Sequence, residues 1–412
     1  MHQRGRRSEV VPGRQGLSRR TFVASALMAE FALMTRIARG QDSQPLRVGM
    51  VRPLTGRFAS SYAPLFVAAR IAIDEINSAG GILGRKIEIV DEDDDGSPAK
   101  EPGVMKKLLD EGVGVVLGPV GTSQALSALP VATNAKMIVG SGSFGYEAQD
   151  GAKYPYHFQF IFNNFVQAAA TVEYIVDRRR IKKVGIIQET TGWGQGYGLG
   201  IVDELKKRGL SPVAFETFAL SATDLKPHVR NVQRSGADAF VLGTSLPPTS
   251  ALLFDAIRSV EYFPPLMVGA SGLMGDVLLD ILPPDVLANV YAAYLRAFTY
   301  TDAEPPGARQ LAYVKKILKY PESKGQEPNS AVSPFYDFLY VLKHVVEEQK
   351  SFDPDKIKAG FEQVHDFPGM FGSLSITPEN HCAVPPNALA FIKLSSARDP
   401  RAMGCFRERV ES

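Results

Sequence analysis

The sequence predicts an α/β protein with mostly parallel sheets, divided into two lobes. Three observations carry this. Short apolar runs alternate with amphipathic stretches along most of the chain, the order of strand, loop and helix that builds a parallel sheet with helices on both faces. The 412 residues are more than one core usually holds. The strands also outnumber what a single open sheet accepts without splitting.

The first unit is the clearest. Leu46–Val51 is a short apolar run that reads as a buried strand. A turn-rich loop, Arg52–Tyr62, follows; it holds Pro53, Gly56 and several hydroxyls, Ser61 and Tyr62 among them. Ala63–Asn77 then sets Phe66, Val67, Ala69, Ile71, Ile73 and Ile76 on one side of a helix. Gly80 and Gly81 stop that helix, because glycine reaches left-handed geometry without a Cβ clash. Lys86–Asp91 supplies the second strand. The loop therefore lies at a strand's carboxyl end, where open α/β sheets bind ligands.

The acidic run Asp91–Asp95 reads as a solvated loop before a helix that starts at Ser97-Pro98. It lacks the oxygen spacing of a calcium loop. A helix near Ala99–Glu111 leads to the strand Val113–Gly118 and the loop Pro119–Gln124, which opens the helix Ala125–Asn134. Met137–Gly140 is the next strand, ending in Ser141-Gly142-Ser143-Phe144-Gly145. Later strands are Val184–Gln188, Val213–Phe218, Ala239–Gly243, Pro265–Gly269 and Ala388–Leu394. Helices are expected near Tyr197–Arg208, Asp224–Arg234, Thr249–Val260 and Val332–Lys350. Gly192–Gly196, with Trp193 inside it, reads as a glycine-rich turn.

Composition and motifs narrow the function. Apolar residues make up 45% and charged residues 22%, the balance of a globular chain. Eight arginines and two glutamates give residues 1–40 a formal charge of +6, which leaves the body at −4 within the total of +2. A mildly acidic body argues against nucleic acid as a partner. Gly140–Gly145 matches G-x-G-x-x-G, but Lys153-Tyr154-Pro155 interrupts any helix there, and no acidic residue ends a strand about 20 residues on. No nucleotide or other cofactor is expected. The six histidines are scattered and form no metal-binding or nucleophile motif, so neither a metal nor catalysis is expected, although a dispersed pair of carboxylates stays open.

The N-terminus reads as an address. Ser18-Arg19-Arg20-Thr21-Phe22-Val23 matches the twin-arginine export motif, an apolar run too short to anchor a membrane follows, and Ala38-Arg39-Gly40 offers small residues for cleavage. Residues 1–40 are thus expected to be a signal peptide, the alternative being a basic arm. No later stretch has 18 uninterrupted apolar residues, so the body should not span a membrane. An exported chain meets an oxidising compartment, so a Cys382–Cys405 disulfide is expected, with two buried thiols as the alternative.

Pro53-Leu54-Thr55-Gly56, a helix ending in Asp74-Glu75-Ile76-Asn77, then Gly80-Gly81-Ile82-Leu83-Gly84-Arg85 and an acidic strand end together resemble the type I periplasmic solute-binding proteins of ABC importers. The Leu/Ile/Val-binding branch is the most similar, and the resemblance runs from about Leu46 to Leu394. It implies two Rossmann-like lobes joined by three crossovers, near Asn163, Ala297 and Leu374, with 44–163 plus 297–374 as one lobe and 164–296 plus 375–412 as the other. It implies periplasmic capture of a small solute between closing lobes and delivery to membrane permease subunits. The alternatives are a ligand-sensing module of the same fold that feeds a signalling partner, and a hydrolase with a dispersed site.

The resemblance also assigns residues. First-lobe loops grip the ligand's carboxylate, which points to Ser61, Tyr62, Thr122, Ser123, Ser141 and Ser143; helix capping alone would need only Thr122 or Ser123. Trp193-Gly194 matches an aromatic–Gly pair that closes over the ligand. Ser245 and Ser271 occupy the second-lobe loops, and Ser271 stands where amino-acid receptors carry the acid that holds an α-ammonium. The expected ligand is therefore a small carboxylate or amide without that ammonium, unless Asp276 or Glu189 supplies the acid.

Overall fold

A computed structural model of the chain describes residues 44–270 and 278–410. The export segment, Ser271 and Asp276 lie outside the described residues. From Leu46 onward the chain forms one unit, built on two sheets.

The first sheet has the order β2-β1-β3-β4-β5 and is parallel throughout. Its strands are β1 (Leu46–Arg52), β2 (Ile87–Asp93), β3 (Val115–Val120), β4 (Ile138–Gly142) and β5 (His157–Gln159). The second has the order β14-β10-β9-β8-β6-β7, with only the β10–β14 pair antiparallel. Its strands are β6 (Val184–Glu189), β7 (Ala214–Phe218), β8 (Ala239–Gly243), β9 (Leu266–Gly269), β10 (Val290–Leu295) and β14 (Leu389–Lys393). Two small ribbons complete the set: β11 (Thr299–Tyr300) with β15 (Arg407–Glu408), and β12 (Phe367–Gly369) with β13 (Gly372–Leu374).

Burial follows position in the sheet. Central β3, β6 and β8 are buried at every residue, because helices cover both faces. Edge strands β2 and β7 keep exposed positions. The helix Ala59–Ser78 packs its stripe of Phe66, Val67, Ile71 and Ile76 inward. Gly81, at φ +80°, turns the chain so tightly after it that a Cβ would lie 2.1 Å from the Arg85 carbonyl oxygen.

The strand β10 was not legible in the pattern, although it is buried along its whole length between β9 and β14. The glycine-rich turn is also a correction. Gly192–Lys207 is a continuous helix, capped by Thr191, whose side chain accepts from the Gly194 N–H at 3.0 Å. Its glycines serve close approach: a Cβ on Gly196 would sit 1.8 Å from Asn164 Nδ2 on the helix Asn164–Val172.

The chain passes between the sheets after β5, after β10 and before β14. The last crossing corrects the expected boundary at Leu374. Residues 375–384 run beside the first sheet: Asn380 bridges Asp150, Cys382 bridges Gln159, and the Ala383 N–H donates to Gln159 O at 2.8 Å. Those residues therefore belong with the first lobe.

The expected disulfide is absent: Cys382 and Cys405 are buried thiols. Cys382 Sγ donates to Ile161 O at 3.3 Å, beside the first sheet, and burial pushes its thiol up to about 11. Cys405 Sγ donates to Glu327 O at 3.4 Å, and its carbonyl accepts from Tyr294 Oη at 2.6 Å. Each sulfur is held by different elements, so proximity in sequence does not bring the pair together.

Candidate functional site: a cleft between the lobes

Four helices begin where strands of the two sheets end, and their first turns meet at one cleft of about 340 Å³. From the first lobe come Arg57, Phe58, Ser61 and Tyr62 at the start of Ala59–Ser78, and Gly121, Thr122, Ser123 and Gln124 at the start of Thr122–Ala135. From the second come Thr191 and Trp193 at the start of Gly192–Lys207, and Ser245 and Leu246 at the start of Pro247–Val260. Helix N-termini direct unpaired N–H groups and the positive end of the helix dipole outward, so their convergence favours an anionic or acceptor-rich ligand. Leu65, Val120, Phe144, Ile161 and Val332 add apolar walls.

The first-lobe wall is held from behind by the acidic run. That run is not simply solvated, which corrects the expectation for Asp91–Asp95. Asp93 accepts from Leu54 N at 2.9 Å and from Thr55 Oγ1 at 2.6 Å, pinning the loop before the helix. Partial burial works against its charge, but these bonds outweigh it and bring its carboxyl down to about 2. Asp94 is buried and accepts from Gly96 N at 2.7 Å, while Gly96 O accepts from Gln124 Nε2 at 2.8 Å. Glu101 lies buried beside Asp94; desolvation, then that neighbouring carboxylate, push it up to about 10.

Thr122 and Ser123 do not cap their helix; the N-cap is Gly121, without a side-chain bond. Thr122 Oγ1 accepts weakly from Phe144 N at 3.4 Å. Ser123 Oγ accepts from Gly192 N at 3.0 Å, a hydrogen bond from one lobe to the other. Both hydroxyls keep a proton to donate.

Behind the second-lobe wall lies a carboxylate that is already committed to that wall's residues. Glu189 ends β6 and is fully buried. It accepts from Ser245 N at 3.0 Å, from Ser245 Oγ at 2.5 Å and from Thr191 Oγ1 at 2.6 Å. Desolvation raises its pKa and the three bonds oppose that rise. Tyr62 stays a neutral phenol because burial, then the charges of Glu189 and Asp94, push its pKa up. Trp193 is 4% exposed and stacks on Tyr197 at 5.2 Å, and its Nε1–H meets no protein acceptor.

Of the residues expected from sequence, Ser61, Tyr62, Thr122, Ser123, Trp193 and Ser245 line this cleft. Ser141 and Ser143 do not, which is a correction. Ser141 Oγ lies 2.7 Å from His157 Nε2, and Ser143 Oγ accepts from Gly145 N at 3.0 Å, both fully buried. Gly142 between them does line the cleft. Side chains alternate across a strand end, so the residues flanking a cleft-facing position turn away from it. The sequence reading missed Arg57, Gln124 and Phe144, although each sits in a loop already singled out, and Thr191, one residue before the expected glycine-rich turn. Leu220 and Asn329 also line the cleft and carry no local signal. Among the described residues Arg57 has no ion pair, and no cluster of three or more His, Cys, Asp or Glu could hold a metal. No described helix is long and apolar enough to cross a membrane.

Two doubly wound sheets, with a ligand-sized cleft at their strand ends and walls drawn from both lobes, define a solute receptor that encloses its ligand. The particular family follows from comparison: the chain belongs to the periplasmic binding protein family, whose profile matches residues 45–398. These are extracytoplasmic binding proteins. The chain is similar to the leucine-, isoleucine-, valine-, threonine- and alanine-binding protein of Pseudomonas aeruginosa, at 23% identity over 334 residues, 81% of this chain and 86% of the relative. Among solved structures it shares the fold of a branched-chain amino acid substrate-binding protein of Streptococcus pneumoniae in complex with isoleucine (TM-score 0.74, 22% identity, 90% of this chain and 100% of that one). A solute-binding protein of an ABC transporter from Rhodopseudomonas palustris BisB5, in complex with 3,4-dihydroxybenzoic acid, matches with TM-score 0.70 and 20% identity over 85% of this chain and 93% of that one.

Proposed function

We propose that this chain is the receptor of an ABC importer and captures a small carboxylate, or an amide, that carries no α-ammonium. The carrying observation is the division of labour in the cleft. The helix N-terminus at Gly121–Gln124, the Thr122 and Ser123 hydroxyls and Tyr62 offer donors, whereas Glu189 has its oxygens taken by Ser245 and Thr191. An ammonium enclosed here would lose its water without gaining an uncommitted carboxylate among the described residues, a cost of several kcal/mol. The apolar walls and Trp193 favour an aromatic or otherwise apolar body. The Rhodopseudomonas neighbour's benzoic acid ligand is consistent with this choice; the isoleucine of the Streptococcus neighbour represents the competing one.

Closure stabilises the loaded form because the ligand touches both lobes only when they meet, and Gly192 N to Ser123 Oγ adds a direct bond between them. The closed form is what permease subunits would receive. Calorimetry with benzoate, 4-methylpentanoate and leucine tests the ligand class. The expected result is micromolar binding of the acids and none of leucine. Binding of leucine with silence toward both acids overturns it.

We also infer twin-arginine export followed by cleavage near Gln41, on the strength of Ser18–Val23. Arg19→Lys with Arg20→Lys should abolish periplasmic yield; an unchanged yield would remove the claim.

A further inference from the structure

Arg57 is the only charged side chain among the described residues that line the cleft. It stands on the loop between β1 and the helix Ala59–Ser78 and is exposed. Among the described residues no acid takes its charge. Asp95 lies against the neighbouring Gly56, where a Cβ would meet Asp95 Oδ1 at 2.1 Å, yet Asp95 pairs with Lys100 at 3.5 Å. Asp93 is held by Leu54 and Thr55, and Glu189 by Ser245 and Thr191.

A carboxylate at the Gly121–Gln124 turn does not need this charge. The uncapped helix start supplies N–H groups and the positive end of a dipole, and Thr122 and Ser123 add hydroxyl donors. Arg57 is therefore left for a second acceptor on the same ligand. Leu220 and Leu246 of the second lobe share the cleft wall with it. The helix Pro247–Val260 starts at Leu246 without a side-chain cap, so its dipole adds positive potential from that lobe. Leu65, Val120, Phe144 and Ile161 keep much of the remaining wall apolar.

On the reading that the cleft takes a carboxylate, we infer that the ligand is a dicarboxylate with an apolar body. One carboxylate sits at the Gly121–Gln124 turn and the second on the Arg57 guanidinium. The planar fork of an arginine matches two carboxylate oxygens, and a charged acceptor binds it more strongly than an amide oxygen does. Because Arg57 is exposed, the second carboxylate keeps part of its water, so the gain is modest.

Pairs of equal shape and unequal charge test it. Terephthalate, isophthalate and adipate are each compared with their own monoamide, by calorimetry with the mature chain. The diacid that reaches both anchors should bind about fivefold tighter than its monoamide, and the gap should shrink as salt rises. Arg57→Gln should erase the gap, and Arg57→Lys, which keeps the charge, should retain part of it. An unchanged melting temperature reports that each variant is folded. If no diacid binds tighter than its monoamide, or if the gap survives Arg57→Gln in full, the second anchor is overturned; benzoate binding then leaves the carboxylate reading intact. Silence toward every acid, benzoate included, removes the carboxylate reading and the second anchor with it.

Discussion

The two walls of the cleft use the same local device, a helix starting at a strand's carboxyl end, and finish it in opposite ways. In the first lobe the helix Thr122–Ala135 begins at Gly121 with no side-chain cap, so its first N–H groups stay available. In the second lobe the helix Gly192–Lys207 begins at Thr191, whose hydroxyl caps Gly194 N and also donates to Glu189. The first wall keeps its donors for a ligand; the second consumes its acid internally. The difference shows that a buried carboxylate near a binding site is not automatically a ligand group. What decides is whether its lone pairs are already filled by the protein.

Changes to either wall test this contrast. Glu189→Ala carries the largest expected effect. It leaves Ser245 N, Ser245 Oγ and Thr191 Oγ1 without their acceptor and opens a void at the end of β6, so stability should drop by about 3 kcal/mol in denaturant unfolding. The folded fraction should still bind the acid ligand; loss of acid binding with stability intact would make Glu189 a ligand group after all. Thr122→Ala comes next. Removing one charge-assisted donor should weaken acid binding by roughly 1.5–3 kcal/mol by calorimetry, with thermal stability nearly unchanged. The smallest effect belongs to Ser143→Ala. Its hydroxyl accepts from Gly145 N inside the turn and faces away from the cleft, so ligand affinity should match the parent within error. A loss like that of Thr122→Ala would place Ser143 on the ligand.

Much of the site was readable because the loops at strand ends are local in sequence. Pro119–Gln124 and Arg52–Tyr62 announced themselves by glycine, proline and hydroxyls bounded by apolar runs. Which side chain of such a loop faces the ligand was less readable. Ser141 and Ser143 looked equivalent to Thr122, yet Ser141 is turned to a buried histidine, His157, that lies 16 residues later. His157 Nδ1 is in turn 2.7 Å from Ala148 O, and burial drives its pKa down to about 4, so it stays neutral as part of the core. The strand Val290–Leu295 escaped notice because its alanines and tyrosines carry neither a strict alternation nor a helical period. Burial on both faces removes the alternation that would mark it.

The sequence by itself determined most of the strand–helix alternation, the parallel sheets that follow from it, the division into two lobes and the strand-end loops that line the cleft. These follow from periodicity, glycine placement and turn chemistry, which act over a few residues at a time. Only the tertiary structure decided that Cys382 and Cys405 stay apart, that residues 375–384 run beside the first sheet, and that Glu189 is satisfied by Ser245 and Thr191. Each of these pairs groups far apart in the chain. Their meeting is set by how sheets and helices pack in three dimensions, and no local pattern encodes that distance.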